Sequence, residues 1–327
     1  MLDVDTFLTT LYVLVDECDK TALPPEPPTT GPASALSRSE ALTLALFGQW
    51  SQFPSERAFY RYASRHLRAA FPTLPHRSQY NRQVRRLTDH LIAVGQWVAT
   101  RLQEALATTS AVDGTDTGYE VVDSLGVAVR HNQRRGRGWL AGQAARGYCN
   151  RLGWYVGLHV LTVVTPTGII TGFGIAPGNS ADQGLAETVF AARHTPALRQ
   201  RLPEAGTAQA DGYYLADTGF EGVRWVRGWR ERYQAQVVIP PKRGTERHQP
   251  RHPWPRALRR AFAGWRQIVE SAHDKLLLLL GLEHERPHTL AGFRARLAAR
   301  VALYNCCCWL NHQLHRPLLA FADLVAW

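Results

Sequence analysis

The sequence predicts a mixed α/β protein: a five-stranded sheet flanked by helices, preceded by an all-helical N-terminal module. Apolar residues keep helical spacing up to about residue 107, after which short runs rich in β-branched and aromatic residues alternate with helical stretches, and helices return at the end. With 327 residues, 45% hydrophobic and 20% charged, the chain has the composition of a folded globular protein and the length for two or three packed modules.

Residues 1–20 read as an amphipathic helix. Asp3 and Asp5 stand where a signal peptide would carry positive charge, so the expectation is a cytoplasmic protein. Residues 21–36 hold Pro24, Pro25, Pro27, Pro28 and Pro32, which remove donors and disfavour helix, and read as a linker. A helical module is expected over 37–107. Ser37 and Glu40 have the spacing of a capping box, and further helices are expected at about 55–70 and 78–106. Between Arg57 and Arg86 there are eight arginines and no acid, with Phe59, Tyr60 and Tyr62 interleaved. No Glu or Asp is there to neutralise them at i,i+4 spacing, so their counter-charge is expected from a polyanion. Arg82, Arg85 and Arg86 are candidate DNA contacts, and the net charge of +11 favours nucleic acid over a membrane surface.

Over 108–327, strands are expected at 118–123, 153–165, 168–176, 208–217 and 233–241. Helices are expected at 181–193, at about 255–280 interrupted by Gly264, and at 290–314. This order is that of a mixed sheet like ribonuclease H. In such a sheet Asp123 would end the first strand, Asp217 the fourth, and Glu270 would lie on the helix after the fifth. Three carboxylates from separate elements suit a pair of hard divalent cations about 3.5–4 Å apart, which stabilise the entering and leaving oxygens of a phosphodiester displacement. Asp113 or Asp116 is the alternative first acid if the strand begins earlier, and Asp182, at a helix start, reads as a cap. Arg134, Arg135 and Arg137 lie among glycines, and Lys242 and Arg243 open a basic stretch that reaches Arg266. Both would form a basic rim beside the acids. Trp139, Trp154, Trp225, Trp229, Trp254 and Trp265 read mostly as core, with Trp254 in HPWP also suited to stack on a displaced base.

Several classes are excluded. No apolar run approaches the roughly 18 residues of a spanning helix. His284 to His288 spell H-E-x-x-H, but Pro287 inside and Gly281 just before it break the helix a zinc site needs. The five cysteines, three of them consecutive at 306–308, have neither disulfide nor metal spacing and read as buried thiols. No phosphate-binding loop of the G-x-x-x-x-G-K-[ST] type is present.

YEVVDS at Asp123, RRGRGWLAGQA (134–144), PTGIITGFG, ADQGLAET at Asp182, LADTGFEG at Asp217, VIPPKR (238–243), RQIVE at Glu270 and the tail ERPHTLAGFRARLAARVALYN (285–305) follow one another in order. With these motifs the chain resembles bacterial insertion-sequence transposases of the DDE type. The resemblance implies a ribonuclease-H-like core with Asp123, Asp217 and Glu270 holding Mg²⁺, for which Mn²⁺ may substitute. It also implies cleavage at terminal inverted repeats, joining of the 3′-hydroxyl to target DNA, and a homodimer on DNA in the cytoplasm, at the nucleoid. Arg266 matches the arginine of the family's Y-x2-R-x3-E-x6-K signature and would meet a DNA phosphate. Ala263 and Leu277 stand at its tyrosine and lysine positions, with Lys275 two residues early as the candidate DNA contact. Those departures keep open a non-catalytic DNA-binding repressor or inactive copy; a third reading is a structure-specific nuclease of the same fold, which would cut branched DNA without joining strands.

Overall fold

The computed structural model describes residues 1–26, 34–110, 118–130, 140, 142–209, 212–241, 254–284 and 286–327. A short strand β1 (Leu2–Asp3) is followed by helices α1 (Val4–Thr21), α2 (Arg38–Phe47), α3 (Glu56–His66), α4 (Arg77–Arg86) and α5 (Thr88–Ser110). Next come strands β2 (Tyr119–Arg130), β3 (Ala145–Cys149), β4 (Gly153–Val164) and β5 (Ile170–Pro177), then α6 (Asp182–His194) and the single turn α7 (Pro196–Arg199). β6 (Tyr213–Leu215), α8 (Val223–Tyr233), β7 (Gln236–Val238), α9 (Arg256–Asp274), α10 (Leu290–Gln313) and β8 (Val325–Ala326) follow. The chain divides into two compact units, Met1–Glu104 with Lys275–Trp327, and Ala105–Asp274.

The first unit is helical. At the start of α2 the Ser37 hydroxyl accepts the Glu40 N–H while the Glu40 carboxylate accepts the Ser37 N–H, the capping box the sequence announces. α2 packs against α1, α4 and α10. α10 comes so close to α5 that a Cβ on Gly95 would stand 3.2 Å from the Ala302 Cα, and Asn305 Nδ2 donates to the Gly95 carbonyl at 3.0 Å. Cys306, Cys307 and Cys308 are buried, and burial pushes their thiols up, so they are inert. β1 and β8 pair in parallel. The stretch expected as one helix over 78–106 is two, α4 and α5, parted at Leu87. Around the H-E-x-x-H residues the described chain makes only a 3₁₀ turn, Leu282–His284.

The second unit holds the mixed sheet, in the order β3-β4-β2-β6-β7 with β5 also paired to β4. β2 is antiparallel to β4 and parallel to β6; β4 is antiparallel to β5, and β6 is parallel to β7. The ribonuclease-H-like order of five strands is present, with β3 as a sixth. β3 lies end to end with β5 along one edge of β4, taking Gly153–Gly157 while β5 takes Leu158–Val164. Side chains alternate across β2, so Val122 joins the core formed with Phe190, Tyr214 and Trp229 under α6 and α8. Asp123 looks to the other face, which α9 covers.

Three expectations are corrected. β2 does not end at Asp123 but continues to Arg130, because Gly126 stays within the strand. Gly264 does not interrupt α9; it is exposed, where a glycine costs the helix only about 1 kcal/mol. Trp229 is core, but Trp154, Trp225 and Trp265 are exposed. Among the described residues no helix is long and apolar enough to cross a membrane.

Candidate active site

Parallel pairing places two of the acids together. Val121 lies opposite Leu215 in the β2–β6 ladder, and two residues further along each chain stand Asp123 and Asp217. β6 stops at Leu215 while β2 runs on, so the strands part there. This is also where the strand order departs to β4 on one side of β2 and to β6 on the other, the switch point at which open α/β sheets bind ligands.

Asp123 is 18% exposed, and its Oδ2 accepts from Arg266 Nη2 at 3.1 Å. Burial is the main cause that pushes its carboxyl up to about 7; Arg266 opposes the rise, and the charges of Asp217 and Asp182 add to it. Asp217 caps the turn after β6, its Oδ1 accepting from the Gly219 N–H at 2.7 Å. A Cβ on Gly219 would stand 2.8 Å from Asp217 Oδ1 and 2.9 Å from Asp182 Oδ2, so two carboxylates converge where no side chain fits.

Asp182 is thus not the helix cap the sequence suggested. Ala181 holds the cap position without a side-chain bond, and Asp182 is the first helical residue. Its Oδ1 accepts from the Ser124 hydroxyl at 2.5 Å and lies 3.4 Å from His159 Nε2. His159 Nδ1 meets the Ser180 carbonyl at 3.0 Å; a carbonyl only accepts, so that nitrogen carries a proton. The available signal was the alanine ahead of Asp182: a residue that cannot cap, followed by an acid in the first turn, where the helix dipole favours negative charge.

α9 is pinned to this face of the sheet at two points. Arg266 reaches Asp123, and His273 Nε2 meets Thr162 Oγ1 at 2.7 Å, Thr162 being the cross-strand neighbour of Asp123 on β4. Burial, with help from Arg151 and Arg266, holds His273 down to about 3, so it is neutral at physiological pH. Glu270 lies between these two anchors in sequence and is exposed. Among the described residues no three acidic, histidine or cysteine side chains are grouped so as to hold a metal ion; Asp123 feels the charges of both Asp217 and Asp182.

Of the other candidates, Arg82, Arg85 and Arg86 are exposed on α4, and the Lys275 ammonium lies over the Phe321 ring in the helical unit. Asp113, Asp116, Arg134, Arg135, Arg137, Trp139, Lys242 and Arg243 fall outside the described residues. In chemistry the donors fit a divalent cation. They are carboxylate oxygens, and a bound cation would offset both the burial that chiefly raises Asp123 and the smaller repulsion from Asp217 and Asp182.

The family model described as the transposase DDE domain matches residues 119–306, more than half of the chain. Among solved structures, the Mos1 transposase paired-end complex with left transposon end is similar at 8% identity, over 88% of this chain and 100% of that one. Its TM-score of 0.23 is too low to carry an argument. No curated protein matches.

Proposed function

We propose that this chain, which belongs to the transposase DDE domain family, cleaves DNA at the ends of a mobile element and joins the freed 3′-hydroxyl to target DNA. The family is one of polynucleotidyl-transferring enzymes that generally use divalent metal. The observation that carries the reading is the β2–β6 register, which sets Asp123 beside Asp217 at the switch point of a ribonuclease-H-like sheet.

Asp123 and Asp217 would hold the ions, Mg²⁺ or Mn²⁺, with Glu270 as the third acid. Bound there, the metal would supply Lewis-acid stabilisation of the oxygens that enter and leave phosphorus. Asp123, Asp217 and Asp182 keep the crevice acidic and Arg266 balances Asp123. Glu270, one turn beyond Arg266, is on the helix that flanks the same crevice. In the first step the oxygen of water bonds to phosphorus and the 3′ oxygen leaves with a proton. In the second, that 3′ oxygen attacks the target phosphodiester and displaces the target's own 3′ oxygen. No covalent enzyme–DNA intermediate is required. The DNA partners are terminal inverted repeats and target, bound by a homodimer in the cytoplasm at the nucleoid. The arginine-rich module of residues 37–107 grips DNA, and the rest of the chain, 108–327, supplies catalysis.

Alanine at Asp217 is expected to abolish end cleavage of labelled element DNA in Mg²⁺; undiminished cleavage sinks the reading. A second reading, a repressor or inactive copy, is favoured by Ala263 and Leu277 at the signature positions. End-specific binding without any product would select it.

A further inference from the structure

We propose that Gln183 is a positioning residue: it fixes the loop that carries Asp217 and so sets the spacing at which Asp217 and Asp123 take up metal. The inference rests on the metal-dependent reading above and adds to it a residue outside the acids. Asp217 lies beyond Leu215, the last residue of β6 paired to β2, in a stretch that holds Gly219 and Gly222 and has no ladder to restrain it. Phe220, fully buried in the core, anchors this loop from beneath. On its outer side the tie is Gln183, the second residue of α6, whose Nε2 donates to the Gly219 carbonyl at 2.7 Å and to the Glu221 carbonyl at 3.1 Å. A carboxamide nitrogen carries two hydrogens, so one side chain serves both acceptors. Gly219 is thereby held at both ends, because its own N–H donates to Asp217 Oδ1 at 2.7 Å. Any shift of the loop reaches that carboxylate directly.

α6 is a fixed reference for the loop because it is docked on β2 to either side of Asp123. At its start Asp182 Oδ1 accepts from the Ser124 hydroxyl, and at its end Arg193 pairs with Glu120. Glu120, Val122 and Ser124 share the face of β2 opposite to that of Asp123. Between the two ties Leu185, Ala186, Val189 and Phe190 pack into the core. The chain of contacts from Ser124 through Asp182 and Gln183 to Gly219 and Asp217 is therefore a second link between the two acids, besides the β2–β6 ladder. Groups that orient ligating carboxylates in this way commonly contribute 10–100-fold to metal affinity.

The test is titration of the full chain with Mn²⁺, the free ion read by electron paramagnetic resonance, alongside thermal melts without metal. Gln183→Met keeps the volume and removes both donors, and should raise the Mn²⁺ Kd about tenfold. Gln183→Asn, one methylene short, should raise it by a smaller factor, and Ser124→Ala, which cuts the other end of the link, should shift it the same way. Tyr233→Phe is the control: it removes a bond from α8 to α6, Tyr233 Oη to Glu187 Oε1 at 2.7 Å, away from the acids, and should leave the Kd unchanged. Gln183→Met and Gln183→Asn with wild-type Kd, where Asp217→Ala has lost binding, overturn the positioning role and leave the functional reading standing. Equal weakening in Gln183→Met and Tyr233→Phe also overturns it, since any loosening of α6 would then suffice. Mn²⁺ binding that Asp217→Ala leaves unchanged, or none in wild type, overturns the functional reading and the inference together.

Discussion

Asp123 is buried by the fold and repelled by its neighbours, so in the absence of metal it keeps its proton until about pH 7. Its ordinary value is near 3.9, so between about pH 4 and 7 the folded state holds more protons than the unfolded one, and this residue's contribution to stability declines as pH rises through that window. His273, held down to about 3, and His194, held down to about 4 chiefly by burial, act in the opposite sense, and what they contribute is lost as pH falls below about 6.5. Thermal melts should therefore show Asp123→Asn losing less stability than wild type between pH 5 and 8. Mg²⁺ should raise the wild-type Tm at pH 8 and leave that of Asp123→Asn nearly unmoved. Identical pH slopes in the two proteins would contradict the burial argument. Asp182→Asn removes one of the repelling charges, so the wild-type midpoint near 7 should move down in that variant, as read by carboxyl titration in NMR.

At the level of elements, α6 is tied to the sheet by a buried ion pair, Glu120 Oε2 to Arg193 Nη2 at 2.6 Å, with both side chains at 1% exposure or less. Arg193 also donates to the carbonyls of Ala205 and Thr207. Glu120→Gln leaves that cation buried without its counter-charge and should cost about 3–5 kcal/mol in urea unfolding. A loss under about 1 kcal/mol would mean the helix is held by its apolar face alone. Gly157→Ala should be worse tolerated than most strand substitutions, because its Cβ would stand 1.9 Å from the Val127 carbonyl oxygen. Hydrogen exchange would read this as early opening of the β2–β4 ladder. The same elements show what could be read in advance. Five strands were legible because their runs are β-branched and aromatic, whereas β3, ARGYC, buries little beyond Gly147 and leaves no pattern. The far half of β2 was missed because Gly126 reads as a break. The glycine is there instead because the Tyr155 ring lies 2.7 Å from where its Cβ would be. Asp123 and Asp217 were legible as acids next to strands, but the part of Asp182 depends on a parallel register, which no single sequence displays.

At the scale of the molecule, the change of periodicity near residue 108 was visible, but the gathering of Lys275–Trp327 with the N-terminal helices was not. It depends on contacts such as Asn305 to the Gly95 carbonyl, between residues 210 apart in the chain. The arginines of α3 and α4 belong to that helical unit, while Asp123, Asp182, Asp217 and Glu270 belong to the sheet unit. The most direct test of the whole is a strand-transfer assay on labelled DNA carrying the element's own ends, with Mg²⁺ or Mn²⁺, comparing wild type with Glu270→Gln. Metal-dependent joined product from wild type that disappears in Glu270→Gln is the predicted result. Cleavage without joining would indicate a nuclease, and end-specific binding with no product from either protein would contradict a catalytic role altogether.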